Sequence, residues 1–527
     1  MDKAGTSRFR SEMGHISRHS TVYFLGTMFT AAAGYLFKIY VARVVGADGL
    51  GVFALGMTIV GFLAVFNGLG LPQAATRFVS AYCATGQWER LHAFLRRMSA
   101  LLLSVNLTLA MMATLAGPFL ALHFYHAPAL VPYVPWFALM LALGGMTAFC
   151  GQVLAGYRDI AARTLISNFI ATPLNVILGV ALLSAGFGLR GYIFTQVTTS
   201  AIVLLLLLTT AWRMTPKMAR QAPVARVRLE PEVFWFSAAA FGVGLLEFLL
   251  SQTDKILLGV FLTVRDVGIY AVAATMVGFG AVVLQSVNQI FSPTISDLYA
   301  RGECILLGRM FQTLTKWILG LTLPLAFVMI VESKTLMRLF GPDFESGWIV
   351  LVIGTIGQLV NAGVGSVGYL LLMSGHQKRL IRIQAIMAAF VVVATIGLVK
   401  PFGLIGVAVA AALTNAVSNY LFLKEVRTAL NLWPYNRTYL RLLGPGVISL
   451  LAILGLHAVG LAAGHRWSIV VASLVTAYVT FCSLALLFGL DDDDRMIVAA
   501  VRQRLQGMLG RRLAGRSAAA GSSPLSR

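Results

Sequence analysis

The chain repeats the stretch KIYVARVVGADGLGVFALGMTIVGFLAV, residues 38–65, as KILLGVFLTVRDVGIYAVAATMVGFGAV, residues 255–282, at a constant offset of 217 positions. Between positions 51 and 65, 8 of 15 residues are identical to their counterparts without a gap. Both copies are apolar apart from a short polar segment. A self-match at one fixed offset in such sequence indicates two copies of one membrane module.

The composition around the repeat is that of a polytopic membrane protein. Of 527 residues, 58% are hydrophobic and 12% are charged, and the mean hydropathy is +0.82. The apolar runs are about 20 residues long, which is the length of a membrane-spanning helix and not of a short alternating strand. We therefore predict an all-α membrane protein. The predicted transmembrane helices number fourteen, at residues 20–42, 50–70, 99–122, 133–155, 164–185, 190–212, 233–252, 267–290, 310–331, 347–373, 380–399, 403–423, 442–463 and 467–489.

The net charge of +21 is explained by membrane topology rather than by nucleic-acid binding. Of the 41 Lys and Arg residues, 32 fall in the loops on the same side as the N-terminus and 8 in the opposite loops. Positive charge accumulates on the cytoplasmic side, so both termini are predicted to be cytoplasmic. The four cysteines are far apart and form no metal or disulfide pattern, so no metal and no cofactor is expected.

The domain boundaries follow from the repeat and from a basic, Pro-rich linker. Six helices per copy is an even number, so both copies enter the membrane in the same direction as parallel six-helix lobes. Two further helices have no counterpart. The predicted organisation is a basic cytoplasmic N-terminus (1–19), an N-lobe of helices 1–6 (20–212), a cytoplasmic linker (213–232), a C-lobe of helices 7–12 (233–430), a helix pair 13–14 (431–490) and a cytoplasmic amphipathic helix with a tail (491–527).

Charged residues inside the predicted helices are the first candidates for a site. Lys38 and its repeat mate Lys255 lie at comparable depths, and Asp254 is the neighbour of Lys255. Such lysines either extend to the interface or pair with Asp254, or they face each other across a central cavity as a clamp for an anionic headgroup. Glu247 lies nearer the middle of its helix, where it either pairs with a neighbour or binds a proton or cation.

Amide side chains recur at helical spacing and predict polar stripes. Gln285, Asn288 and Gln289 share one face of the eighth helix. One interpretation is hydrogen bonding between helices; the other is a hydrated cavity whose amides bind sugar hydroxyls. Further pairs at such spacing are Asn168 and Asn175, Gln358 and Asn361, and Asn415 and Asn419.

No catalytic signature is present in the sequence. The loops are short, and no Ser/His/Asp set or metal-ligand spacing lies on one face. The largest outer loop, residues 332–346, is small for a membrane enzyme that binds a glycan acceptor. We therefore expect a protein that is not an enzyme, with a membrane glycan polymerase or ligase as an alternative.

Three segments resemble polysaccharide (O-antigen and exopolysaccharide) flippases of the multidrug/oligosaccharidyl-lipid/polysaccharide exporter superfamily. Residues 42–53, ARVVGADGLGVF, are similar to the A-R-x-x-G-x-x-x-x-G-x-F/Y signature of that family. Residues 253–255, TDK, followed by VGIY at 267–270, look like the segment that opens its second lobe. Residues 403–408, GLIGVA, resemble its G-x-x-G-x-A segment.

The resemblance implies a fourteen-helix, two-lobe fold in the bacterial cytoplasmic (inner) membrane. Such proteins move undecaprenyl-pyrophosphate-linked oligosaccharides from the inner to the outer leaflet, in pathways that also contain glycan polymerases and glycosyltransferases. Relatives keep cationic residues for the pyrophosphate, and Lys38, Arg77 and Lys255 are the matching candidates; Arg77 is otherwise an interface charge. The alternative within the superfamily is a cation-coupled exporter of small molecules, which would use Glu247 and Asp254.

Overall fold

The computed structural model describes residues 3–157, 160–221, 223, 231–463 and 466–487 of the chain. These residues form helices joined by short connections, and no strand occurs among them. The helices are α1 (Lys3–Gly68), α2 (Leu71–Thr85), α3 (Trp88–Phe119), α4 (Val134–Gly156), α5 (Ile160–Thr164), α6 (Ala171–Ser184), α7 (Gly188–Met214), α8 (Lys217–Gln221), α9 (Pro231–Phe261), α10 (Val264–Ala300), α11 (Cys304–Val331), α12 (Ser333–Arg338), α13 (Trp348–Val364), α14 (Val367–Met373), α15 (Gln377–Leu430), α16 (Leu443–Ala463) and α17 (Arg466–Leu487).

Two of these helices are too long to cross a membrane once. The α15 helix has 54 residues, or about 80 Å at 1.5 Å per residue, whereas the hydrocarbon core is about 30 Å thick. Each is broken by a glycine with positive φ, α1 at Gly46 (φ 74°) and α15 at Gly403 (φ 56°). Both breaks coincide with predicted hairpins. Glycine adopts this backbone conformation without strain, so the chain can turn at these positions.

The two arms of α1 run side by side. Lys38 in the first arm and Thr58 in the second line the same cavity, although a straight helix would hold them about 30 Å apart. Twelve segments of the described chain are long and apolar enough to cross a membrane, and two of them contain such a break. The protein is therefore a multi-pass membrane protein whose helices agree with the fourteen predicted spans, which confirms the predicted fold class.

Three helices differ in detail from the prediction. An additional helix, α2, fills the loop after the second span and buries Phe78 and Val79. A π-helical turn, Leu165–Ile170, precedes Pro173, which lacks the N–H that a regular helix needs there. The tenth predicted span is divided into α13 and α14 at Gly365, whose φ is 75°.

The chain divides into two compact units, and the first comprises residues 1–276, 336–354 and 381–414. Its main core lies between α2, α3 and α4, where Phe78, Phe94 and Phe149 pack together. A buried amide joins the same part of the fold, because Asn67 Nδ2 donates to the carbonyl oxygen of Leu141 at 3.0 Å. These contacts hold the helices that carry one wall of the candidate site.

The second unit comprises residues 277–335, 355–380 and 415–527. Its core includes Phe291, Phe311 and Leu370, and α16 and α17 pack on α11 through Val328 and Ile453. The buried carboxylate of Glu332 fixes this helix pair, since His457 Nδ1 lies 3.0 Å from Oε1 and the hydroxyl of Ser473 donates to the same oxygen at 3.2 Å.

Several predicted features lie outside the described residues. They include most of the linker after Gln221 and the amphipathic helix with its tail after Leu487. The predicted division into lobes follows the repeat, whereas the compact units follow packing, so the lobes stay a prediction.

Candidate functional site

The two copies of the repeat touch through their backbones at Gly51 and Gly268. A Cβ atom added to Gly51 would lie 1.8 Å from the carbonyl oxygen of Val264. One added to Gly268 would lie 2.1 Å from the carbonyl oxygen of Ala47 and 2.9 Å from the nitrogen of Gly51. Only glycine permits this approach. The repeat mates therefore bring α1 and the start of α10 into direct contact.

A cavity of about 530 Å³ lies beside this contact, within the first unit. Its wall is built from both arms of α1, from α7, α9 and α10, and from Phe340. Four pairs of repeat mates contribute both members to the wall: Lys38 and Lys255, Ala54 and Ala271, Met57 and Ala274, and Thr58 and Thr275. The two copies of the repeat thus face one space.

Among the described residues of this wall, the two lysines are the charged ones, and none is a carboxylate. Lys38 is exposed and Lys255 is half-buried. Lys255 Nζ donates to Gln252 Oε1 at 3.0 Å, which holds the ammonium group without neutralising it. Two like charges in one partly dry space favour an anion between them.

Asp254 is turned away from the ammonium group of Lys255. Its Oδ2 accepts a hydrogen bond from the hydroxyl of Tyr270 at 2.8 Å, and its Oδ1 accepts one from the backbone N–H of Lys255 at 2.8 Å. The carboxylate therefore joins α9 to α10 and pairs with the backbone of Lys255 rather than with its side chain.

The rest of the wall combines hydroxyls with aromatic rings. Ser251 and Thr275 supply hydroxyl groups, whereas Phe53, Phe248 and Phe340 supply apolar faces. Hydroxyls and the amide of Gln252 can hydrogen-bond polar groups of a ligand, and rings can pack against its apolar surface. The site can hold an anion attached to a larger amphipathic molecule.

The segment between α12 and α13 covers one part of the cavity. Phe340 is buried and lines the space, and its ring contacts Tyr35 edge-on with centroids 5.9 Å apart. Arg43 Nε donates to the carbonyl oxygen of Leu339 at 2.8 Å, and Arg265 forms an ion pair with Asp343 at 2.7 Å. These contacts fasten the segment to the repeat hairpins.

Arg77 is not brought to this wall. Its guanidinium forms an ion pair with Glu232, at the start of α9, and lies 4.9 Å from the centroid of the Phe236 ring. Both members of the pair are about half exposed. Arg77 joins α2 to α9 in this structure.

The other candidates are found in different surroundings. Glu247 is exposed on α9, and no hydrogen bond or ion pair involves its carboxylate within the described chain. On α10, Gln285 and Gln289 are exposed, whereas Asn288 is buried with no partner for its Oδ1. These three amides belong to the second unit, whereas the residues that line the cavity belong to the first.

Most other amide stripes make hydrogen bonds between or within helices. Asn175 Nδ2 donates to Gln196 Oε1 at 2.9 Å and connects α6 with α7. Asn415 Nδ2 donates to the carbonyl oxygen of Gly357 at 3.3 Å and connects α15 with α13. For these residues the structure shows the interhelical bonding that was one of the two interpretations.

Sequence reasoning missed Gln252, Tyr270 and Phe340. Gln252 could have been found, because it lies three residues before Lys255 on one helix face. Thr58 and Thr275 were visible as identical repeat mates. Phe340 carries no local signal, since it reaches the cavity from a loop about 300 residues after Lys38.

A family model described as polysaccharide biosynthesis protein matches residues 16–299, which is more than half of the chain. The chain belongs to this polysaccharide biosynthesis family. The match covers the first copy of the repeat, the second copy and both cavity lysines.

Two relatives of the chain are named for roles in glycan biosynthesis. The chain is 22% identical over 410 residues to a probable low-salt glycan biosynthesis flippase, Agl15, of Haloferax volcanii, covering 77% of this chain and 82% of the relative. It is 25% identical over 323 residues to the succinoglycan biosynthesis transport protein ExoT of Rhizobium meliloti, covering 59% of each chain. These relatives are named as a flippase and a transport protein, and neither name is that of an enzyme.

Solved structures share the fold of the family member. The lipid II flippase MurJ in an inward closed conformation matches with a TM-score of 0.70 at 14% identity, covering 89% of this chain and 98% of that one. An inward-facing multidrug resistance MATE family transporter of the MOP superfamily matches with a TM-score of 0.57 at 15% identity, covering 76% and 94%. At these identities the likeness shows the fold alone. The family match and the names of the relatives confirm the resemblance to polysaccharide flippases, and the shared fold agrees with it.

Proposed function

We propose that the protein is a flippase that moves a polyprenyl-pyrophosphate-linked oligosaccharide across the bacterial inner membrane by alternating access, for the biosynthesis of a surface polysaccharide. Its termini are cytoplasmic, and it acts beside the glycosyltransferases that assemble the glycan and the polymerase that extends it. The protein needs no cofactor for this role, because the transport step makes and breaks no covalent bond.

The observation that carries the proposal is the pair of lysines in one cavity. Lys38 and Lys255 are repeat mates, both line the space, and the part of its wall that the structure describes holds no carboxylate that would neutralise them. A pyrophosphate carries at least two negative charges, and two ammonium groups can balance them. The hydroxyls and Gln252 are suited to polar groups of the proximal sugar, and the polyprenyl chain stays in lipid.

The relatives support the same cargo class. Agl15 is named as a probable glycan biosynthesis flippase, and ExoT as a succinoglycan biosynthesis transport protein. Both names describe movement of a glycan or its precursor. The fold is shared with a protein named as a lipid II flippase, so the proposed role is compatible with this fold.

Transport in proteoliposomes tests the lysine pair. The measurement follows a fluorescent polyprenyl-pyrophosphate oligosaccharide from one leaflet to the other, with wild type, Lys38→Gln, Lys255→Gln and the double variant. Each loss of a charged contact is worth about 1.5–3 kcal/mol, so each single variant should slow transport about tenfold or more. Lys400→Gln is the matched control, because Lys400 contacts Phe261 and does not line the cavity.

Two outcomes would contradict the proposal. If both single variants and the double variant transport at the wild-type rate, the lysines do not bind the cargo. If Lys400→Gln slows transport as much as they do, the effect is one of total charge. Correct folding of each variant is checked by its elution profile and thermal unfolding.

A cation-coupled exporter of small molecules is the second candidate, and the exposed carboxylate of Glu247 favours it. Such an exporter of organic cations would be expected to present carboxylates to its cargo, whereas two lysines repel a cation. Drug efflux that is lost in Glu247→Gln and unchanged in Lys38→Gln would select this candidate over the flippase.

A further inference from the structure

A groove of about 440 Å³ lies on the outside of the first unit, away from the lysine cavity. It is formed by α3, α4 and the last turns of α7. Its floor is apolar, with Leu95, Phe149, Val153 and Leu208 among the lining residues. A groove of this shape and chemistry fits a hydrocarbon chain.

One end of the groove is basic and aromatic. Arg213 and Trp212 line it and are both exposed. The guanidinium carbon of Arg220 lies 5.2 Å from the centroid of the Trp212 ring, on the short helix α8 that follows. Lys217 is exposed on α8 as well. Trp212 therefore stands between an apolar channel and a group of cations, the arrangement typical of a membrane interface.

Arg220 is fixed in place by the backbone. Its Nε donates to the carbonyl oxygen of Thr215 at 2.8 Å, and its Nη2 donates to that of Arg213 at 2.9 Å. These acceptors are neutral, so the guanidinium is held in position and keeps its positive charge, and no carboxylate of the described residues forms an ion pair with it. The guanidinium of Arg213 makes no hydrogen bond or ion pair within the described chain.

The segment that carries these cations contains no acidic residue. Residues 201–221 contain Arg213, Lys217 and Arg220 and no Asp or Glu. On the neighbouring helix α3, exposed Arg96 lies one turn before Ser99, which lines the groove. The charge distribution predicts that this end faces the cytoplasm, where the leaflet is rich in anionic lipid.

We propose that this groove is a binding site for an anionic phospholipid of the inner leaflet. The phosphate and any second anionic group lie against Arg213, Lys217 and Arg220, and one acyl chain lies along the apolar floor. The site is separate from the cargo cavity and does not depend on the proposed cargo.

A groove at the opposite end of α7 gives a comparison within the same molecule. It has a volume of about 580 Å³ and is also lined by aromatic residues, including Trp136 and Phe194. Of the described residues that line it, one is basic, Arg190, on the predicted outer side. It offers an apolar channel of similar size without a group of cations, and no selectivity for an anionic headgroup is expected there.

Native mass spectrometry of the full chain in detergent tests the proposal with two lipids of identical acyl chains. Dioleoyl phosphatidylglycerol is the anionic probe, and dioleoyl phosphatidylcholine is the zwitterionic one. Wild type should retain the anionic lipid at lower concentration. The double variant Arg213→Gln, Lys217→Gln removes two exposed charges and should weaken that binding about fivefold per charge, with phosphatidylcholine unaffected.

Arg190→Gln is the matched control, since it removes one charge from the other end of the same helix. It should leave binding of the anionic lipid unchanged. The proposal is overturned if the double variant binds phosphatidylglycerol as wild type does, if Arg190→Gln weakens binding equally, or if wild type retains both lipids alike. Because the readout is lipid retention, failure here is distinguishable from failure of the flippase proposal, which is measured by transport.

Discussion

The two copies of the repeat share three identical pairs of residues in the cavity wall and differ at positions that pack against neighbouring helices. Position for position, the second copy has Asp254 and Tyr270 where the first has Phe37 and Phe53. In the second copy the tyrosine hydroxyl bonds to the carboxylate. In the first copy the two rings pack around Tyr192 instead. These two positions form a polar joint in the second copy, which is the hydrogen bond from Tyr270 to Asp254. In the first copy they form an apolar joint, which is the packing of Phe37 and Phe53 on Tyr192.

Three pairs of positions in the cavity wall are identical instead. Lys38 and Lys255, Ala54 and Ala271, and Thr58 and Thr275 are identical between copies and line one space. Differences concentrate around the lysines: Gln252, which bonds Lys255, replaces Tyr35 of the first copy. Identical residues of the two copies thus line one cavity, whereas the residues beside the two lysines differ.

Moving the carboxylate into the first copy should break the apolar joint and have the largest effect. Phe37 is buried, so Phe37→Asp removes a packed ring and leaves a carboxylate without a donor, at a cost of about 4 kcal/mol in the free energy of unfolding. Adding Phe53→Tyr supplies the hydroxyl of the second copy and should recover about 1 kcal/mol. Denaturant unfolding in detergent measures the stability of the single and of the double variant. A double variant no more stable than Phe37→Asp would mean that the polar joint cannot be formed in the first copy.

The glycine contact between the copies should tolerate no side chain. Gly51→Ala forces the backbone of α1 away from Val264 and should cost about 3 kcal/mol in stability. Gly278→Ala is the control, because a Cβ atom there meets nothing within 4 Å. Thermal unfolding followed by circular dichroism distinguishes the two, and equal stability of both variants would show that the contact at Gly51 opens easily.

Tyr270→Phe makes the second copy resemble the first at one position. The carboxylate of Asp254 keeps the backbone N–H of Lys255 and loses the hydroxyl, so we expect a loss of about 1.5 kcal/mol in the free energy of unfolding. Tyr40→Phe is the control, because its ring packs against the cluster that contains Phe37 and Tyr192 and its hydroxyl has no hydrogen-bond partner among the described residues. Wild-type stability for Tyr270→Phe would mean that the polar joint contributes nothing.

Much of the fold followed from local sequence, as the breaks in α1 and α15 illustrate. Gly46 and Gly403 lie in the predicted hairpins, because glycine permits positive φ and because a helix of that length exceeds the membrane. The pairing of Arg77 with Glu232 could not be predicted, since 155 residues separate them and no pattern connects them. From the sequence, an ion pair between Asp254 and Lys255 was one of several possibilities. Only the placement of Tyr270 on the next helix shows that the carboxylate accepts a hydrogen bond from the Tyr270 hydroxyl instead.

The sequence by itself determined that this protein spans the membrane and that it contains one apolar segment twice, and it predicts that the two copies run parallel. Hydrophobic length, charge asymmetry and internal identity are properties of the chain alone. Only the tertiary structure decided that Lys38 and Lys255 line one cavity, that Phe340 closes part of it, and that the second lysine is held by Gln252 rather than by Asp254. Those facts depend on which helix faces lie against each other, and that is fixed by close contacts such as Gly51 on Gly268.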